Sequence, residues 1–320
     1  MNEKLPFGNP IYFKGEYQKD VLYPLYVQTI SCIFDLKENK IPTIQIKNNL
    51  RFIPNEYVKS SNGDLVTMTL TNVDLDLFKE HYNIIGEIQY HGGWKFKAIK
   101  GLFTTYIDYW SNKKIQAKKE KNGALYKIAK LMLNSLYGKF GLNPNVRGKY
   151  PVLVDGIVKY KMYDKEIRDS IYIPVASFVT SYARKKTIET SQKIRDYSLE
   201  KYGIDKYVYS DTDSIHCLFE KSEELKNIIE IDDYKLGAWK EESKFIKGRY
   251  LRQKCYIEMS EDEKINVTVA GMPEKVHKFI TFENFNVGFS TENIDDENKK
   301  LTYNHVKGGV MLTPIDFSIK

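Results

Sequence analysis

Two aspartates two residues apart, inside the run Tyr209-Ser210-Asp211-Thr212-Asp213-Ser214, constrain this chain more than any other feature. Val208 and Ile215 flank them in apolar, β-prone stretches, so the pattern predicts strand, acidic turn, strand over residues 207–219. Both carboxylates then project from one tight turn. Crowding two carboxylates costs energy through mutual repulsion and desolvation. A hard divalent cation, Mg²⁺ or Mn²⁺, offsets that cost. In isolation the same residues also fit an exposed Asx turn; the apolar flanks favour the metal reading.

The rest of the composition removes several alternatives. At ~150 residues per domain, 320 residues predict about two compact domains. A hydrophobic share of 42% is enough to build cores. Lys and Arg total 49 against 42 Asp and Glu, a net charge of +7 that permits a polyanionic partner without demonstrating one. Cys32, Cys217 and Cys255 form no C-x-x-C pair and the five histidines are dispersed, which argues against a disulfide framework and a Cys-based zinc site. No signal peptide and no run of 18 apolar residues is visible, so the expectation is a reduced, soluble, cytoplasmic protein without a membrane partner.

Along the chain, Ile30, Cys32, Phe34 and Leu36 alternate with polar residues and predict a strand over residues 26–36. A second strand is expected from Ile44 to Lys47, and a third over residues 65–70 after the turn Ser60-Ser61-Asn62-Gly63-Asp64. Thr71 opens a short helix to Tyr82, with Asp74 as capping partner. Residues 99–141 read as a helical hairpin with a lysine-rich tip, its second helix running over residues 124–140. Asp155-Gly156 between β-branched residues predicts a hairpin. Pro174 starts a long helix that Gly203 ends, and a terminal strand follows Gly308-Gly309.

Two further patterns carry chemistry. On the helix over 124–140, Lys127, Lys130, Asn134 and Tyr137 share one stripe, opposite Leu125, Ile128, Met132 and Leu136. An ammonium, an amide and a phenol on one face suit a nucleoside triphosphate; a solvated polar face is the plain alternative. In Arg252-Gln253-Lys254-Cys255-Tyr256, Lys254 and Tyr256 on a strand point to one side and suit a sugar–phosphate backbone, although solvated basic surface explains such a run equally.

The order of these pieces resembles family B DNA polymerases, and more closely the protein-primed subgroup of the Bacillus-phage type. The resemblance lies in Lys130-(x)3-Asn134-Ser135-x-Tyr137-Gly138, Tyr209-x-Asp211-Thr212-Asp213-Ser214 and Lys254-x-Tyr256, and in Thr-Phe-Glu-Asn-Phe-Asn-Val-Gly-Phe-Ser over 281–290. It implies an α+β right-hand polymerase fold: a first terminal-protein region (1–100), helical-hairpin fingers (101–141), a second terminal-protein region hairpin (142–172), a partial palm (173–260) and a thumb (261–320). It implies template-directed attack of a primer hydroxyl on the α-phosphate of a deoxynucleoside triphosphate, with two Mg²⁺ or Mn²⁺ ions. By the same resemblance Asp213 matches the family's metal ligand and Asp211, its neighbour, helps shape the site; the two are the expected catalytic and metal residues. Lys118, Lys130, Asn134 and Tyr137 bind the nucleotide, and Lys254, Tyr256, Ser135 and Gly138 bind primer and DNA. The implied partners are a DNA template-primer, a terminal protein whose side-chain hydroxyl starts the new strand, and a separate N-terminal polymerase half, in a host cytoplasm.

That last partner follows from a departure. The family carries a further catalytic carboxylate in a motif D-x-x-S-L-Y-P, whereas this chain opens on Met1-Asn2-Glu3-Lys4-Leu5-Pro6-Phe7-Gly8, which resembles the segment just after it. Asp20-Val21-Leu22-Tyr23-Pro24 imitates the motif with the wrong spacing. The expectation is a polymerase segment completed by another polypeptide; the alternative is an inactive fragment that binds DNA or terminal protein.

Overall fold

The computed structural model describes residues 3–47, 49–53, 56–167 and 171–319. They form two compact units, one from residues 1–142 and 171–241, the other from 143–170 and 242–320.

The first unit is built on a four-stranded antiparallel sheet in the order β1-β4-β2-β3, from β1 (Lys4–Phe13), β2 (Leu25–Leu36), β3 (Val66–Thr71) and β4 (Tyr82–Lys100). The expected alternation in β2 is present: Ile30, Cys32 and Phe34 are fully buried. They pack with Phe78 of the segment that follows β3 and with Tyr82, the first residue of β4. That segment is α1 (Asn72–His81), and Thr71 caps it by accepting from the Asp74 amide. The structure differs at Ile44 to Lys47, where only Gln45 makes a bridge, to Tyr57. Ile44 and Ile46 are buried as an extended segment rather than a strand; their alternation reports core contact and not pairing.

Strand β4 is much longer than its residues advertise, because its alternation breaks at Gly92-Gly93. Gly92 has φ 108°, and a Cβ on Gly93 would lie 1.9 Å from the Val27 carbonyl oxygen, so only glycine lets β2 approach there. The strand also continues to Lys100, and helix begins only at Thr104, later than the expected residue 99.

Helices α2 (Thr104–Lys119) and α3 (Gly123–Phe140) make the expected hairpin, with Asn122 capping α3 through the Leu125 amide. Helix α4 (Ile173–Tyr202) has Pro174 in its first turn and ends at Gly203 with φ 67°. It buries Phe178 with Leu5, Leu25, Val73 and Phe96. Strands β9 (Tyr207–Asp211) and β10 (Ser214–Cys217) pair with each other and pack on α4; α5 (Ser222–Leu225) follows.

The second unit contains the hairpin of β6 (Lys149–Val154) and β7 (Ile157–Met162). Its turn has Asp155 and Gly156 both at positive φ, as that dipeptide predicts. Two-residue strands β5 (Asn145–Val146) and β8 (Glu166–Ile167) pair beside it. A three-stranded sheet of β11 (Lys247–Arg252), β12 (Cys255–Met259) and β13 (Ile265–Val269) covers a core of Ile257, Val276, Phe282, Phe285 and Ile319. Strands β14 (Lys300–Val306) and β15 (Gly309–Ile315) form the last hairpin. Among the described residues, no helix is long and apolar enough to cross a membrane.

A buried histidine gives the first unit a pH dependence. His81 is 1% exposed, and its Nδ1–H donates to the Ile41 carbonyl at 2.7 Å. Burial, reinforced by Lys40 and Lys37 and opposed by the Ile41 bond and Glu80, holds its pKa below the ordinary 6.5. Below about pH 6.5 the unfolded chain therefore binds a proton that the fold resists. Stability is full above that pH and falls as pH drops towards the lowered folded value. The variant His81→Asn, whose amide can occupy the Nδ1 position, is expected to flatten the slope of melting temperature between about pH 7.5 and 5.5. An unchanged slope would count against this assignment.

Candidate functional site

The acidic turn lies where the strand pattern predicts. Asp211 ends β9 opposite Ser214, and Thr212 and Asp213 are the two turn residues. Asp211 is half-buried and Asp213 exposed. Flanking burial is less than expected: Val208 and Ile215 are only half-buried, because β9 and β10 form a two-stranded sheet. Thr212 adopts φ 50°, a left-handed conformation uncommon for a β-branched residue. Its hydroxyl donates to Asp211 Oδ1 at 3.0 Å, the Ser214 hydroxyl donates to the Asp211 carbonyl at 3.1 Å, and Thr187 of α4 donates to the Thr212 carbonyl at 2.7 Å.

The donor chemistry of this turn fits a hard divalent cation, since Mg²⁺ is commonly held by one or two carboxylates with water and phosphate oxygens completing its shell. No cluster of three or more His, Cys, Asp or Glu set to hold a metal occurs among the described residues. Asp20 does not supply a third ligand to the pair. Its carboxylate is bound by Lys95 Nζ at 2.6 Å and by the Leu22 and Tyr23 amides, contacts that lower its pKa, the Lys95 bond most of all. It closes the loop beside β1 instead.

Helix α4 backs the turn with a second polar group. Arg184 pairs with Asp74, which is 8% exposed and also receives Ser181 at 2.5 Å and Thr71 at 3.1 Å. Burial pushes the Tyr57 phenol up, Arg184 opposes that shift, and Asp211 and Asp74 add to it, so this ring sits in the field of both carboxylates. The sequence pattern marks Asp74 only as a cap and gives no sign of Arg184, Thr187 or Tyr57. Only the tertiary packing of α4 against α1 and the acidic hairpin reveals them.

The polar face of α3 is presented to solvent: Lys127, Lys130, Asn134 and Tyr137 are exposed. The packed face differs by one residue, with Ala129 fully buried and Ile128 52% exposed. Leu125, Ala129, Met132 and Leu136 follow the helical repeat more closely than a stripe through Ile128 does. Ser135 is half-buried, donating to the Met132 carbonyl at 3.4 Å, and a Cβ on Gly138 would meet nothing within 4 Å. Lys118, in the last turn of α2, rests 4.8 Å over the Tyr234 ring.

Lys254 and Tyr256 belong to the second unit. Lys254 is not on a strand as expected: it occupies the turn between β11 and β12 at φ 56°, and β12 starts at Cys255. Tyr256 lies on the strand, its ring stacked on Tyr250 with centroids 5.4 Å apart.

Comparison with known proteins decides the family. Residues 1–233 match the model for DNA polymerase type B, organellar and viral. The chain belongs to that family. Among type B polymerases it is 43% identical over 335 residues to the DNA polymerase of Bacillus phage phi29, covering 99% of this chain and 54% of that protein. It is 37% identical over 330 residues to the DNA polymerase of Streptococcus phage Cp-1, covering 100% of this chain and 54% of the relative. The phi29 DNA polymerase complexed with primer-template DNA and incoming nucleotide substrates superposes with a TM-score of 0.85 and covers 99% of this chain and 55% of that one. The α+β polymerase fold expected from the motifs is thereby observed, and the chain spans about half the length of the relatives it matches.

Proposed function

We propose that this chain carries part of the nucleotide-transfer site of a DNA-directed DNA polymerase working in protein-primed replication. The observation that most supports it is the 43% identity to a polymerase solved with primer-template DNA and incoming nucleotides. The exposed stripe of Lys130, Asn134 and Tyr137 and the Asp211–Asp213 turn occupy one compact unit, which favours the same reading.

In this proposal Asp213 and Asp211 hold Mg²⁺ or Mn²⁺. When bound, the metal offsets negative charge at the α-phosphate and favours ionisation of the primer hydroxyl. Lys130 and Lys118 place ammonium groups on triphosphate oxygens, while Asn134 and Tyr137 orient sugar and base. Lys118 leaves Tyr234 to do so, giving up a contact worth about 0.5–1 kcal/mol for a charge-assisted bond worth about 1.5–3 kcal/mol. Ser135 and Gly138 face the DNA, the open space over Gly138 admitting it, and Lys254 and Tyr256 steady the primer terminus. Residues 101–141 serve as fingers, 173–260 as part of the palm and 261–320 as thumb. Residues 1–100 and 142–172 grip terminal protein and duplex. The protein acts in the host cytoplasm.

Two features favour completion by a separate N-terminal polymerase half. The pair is two carboxylates without a third clustered ligand among the described residues, and β9–β10 is a sheet of only two strands. A further strand bearing a carboxylate would complete both. That no third ligand clusters with the pair among the described residues equally favours a second reading, an inactive DNA- or terminal-protein-binding fragment, which predicts DNA binding without incorporation under any supplement.

Lys130→Ala is expected to raise the nucleotide KM at least about tenfold, the loss of one charge-assisted contact, with DNA affinity changed less than about twofold. Primer extension across a nucleotide titration, with fluorescence anisotropy for DNA, measures both. Equal loss of the two would sink the triphosphate assignment.

A further inference from the structure

We infer that Thr187 is a positioning residue for the acidic turn, its hydroxyl fixing the peptide group between Thr212 and Asp213 and so holding the Asp213 carboxylate in place for a cation. The inference deepens the metal-holding role proposed for Asp211 and Asp213 and rests on that reading.

Thr187 is 6% exposed on α4, and its hydroxyl carries a single proton with two acceptors in reach. One is the Ala183 carbonyl a turn earlier, at 3.2 Å, the usual partner of a helical threonine. The other is the Thr212 carbonyl at 2.7 Å, the most favoured O–H···O separation. The proton therefore serves the turn rather than the helix.

What it holds needs holding. Thr212 is β-branched and sits at φ 50°, a conformation that persists only where surrounding contacts over-determine it. The Thr212 and Ser214 hydroxyl bonds lie within the turn and move with it. The Thr187 bond comes from outside, from a helix fixed one to two turns earlier by buried Asp74 and Ser181 and the half-buried Arg184. The Thr212 carbonyl and the Asp213 N–H belong to one planar peptide. Anchoring that carbonyl sets the direction in which Asp213 leaves the backbone.

The test is Mn²⁺ binding by the full chain, followed by electron paramagnetic resonance of the free ion, with circular dichroism confirming the fold. Thr187→Val, which keeps the shape and removes the hydroxyl, is expected to raise the Mn²⁺ Kd about fivefold, the scale of one hydrogen bond. Thr187→Ser, which restores the donor, is expected to return to within about twofold of the parent, and Asp213→Asn to weaken binding at least about tenfold. Should Thr187→Val melt early, Thr187→Ala carries the same expectation. Parent-like affinity in the hydroxyl-less variant alongside weakened Asp213→Asn would overturn the positioning role and leave the metal reading standing. Parent-like affinity in Asp213→Asn would remove the metal reading, and this inference with it.

Discussion

Asp213→Asn is expected to cut nucleotide incorporation at least about a thousandfold, the scale on which transition-state charge stabilisation acts, while changing DNA affinity less than about twofold. The substitution swaps an oxygen for an NH₂ of nearly the same size at an exposed turn position, so the fold loses little. What it removes is a formal negative charge beside Asp211. A neutral amide oxygen offers a divalent cation less than a carboxylate does, and in the proposed site the remaining carboxylate is expected not to align metal, primer hydroxyl and α-phosphate alone. Primer extension and anisotropy on one preparation separate the two quantities. Loss of DNA binding in step with incorporation would argue that Asp213 supports the fold or the duplex instead.

Asp74→Ala is expected to destabilise the first unit strongly for a single polar substitution. The side chain is buried, takes hydrogen bonds from Ser181 and Thr71, and balances Arg184, whose side chain is 36% exposed. Truncation leaves a partly desolvated guanidinium without its carboxylate and returns the Ser181 hydroxyl to the Ser177 carbonyl and Thr71 to Ser181, a cost of about 3 kcal/mol carried mainly by the broken ion pair. In a unit of this size that lowers the melting temperature by roughly 6–12 °C. Asp74→Asn keeps an acceptor and should lose less. A melting temperature within about 1 °C of the parent for Asp74→Ala would contradict the network.

These expectations show how unevenly the chain discloses itself. The bounds of α4 follow from Pro174 and Gly203, the start of α1 from Thr71, and the β6–β7 turn from Asp155-Gly156, because each is a local backbone requirement met by local residues. Strand β4 is another matter. Its pairing with β1 and β2 is set by distant partners, and its alternation is broken at Gly93, whose meaning emerges only when the Val27 carbonyl is seen against it. The same contrast divides the site. The carboxylate pair and the polar face of α3 lie in short motifs, so spacing finds them. Thr187, Arg184 and Tyr57 act across long sequence separations, and nothing in their immediate neighbours marks them. Lys254 reads as a strand residue because alternation with Tyr256 imitates pairing, whereas a two-residue turn puts it at positive φ.

The most direct test of the central claim is primer extension by the purified chain with deoxynucleotides and Mg²⁺ or Mn²⁺, with and without a polypeptide supplying the D-x-x-S-L-Y-P carboxylate strand. The account predicts extension when both polypeptides are present, none from either alone, and loss of the joint activity in Asp213→Asn. No extension by the pair while the chain still binds primer-template DNA, or joint activity that survives Asp213→Asn, would contradict it.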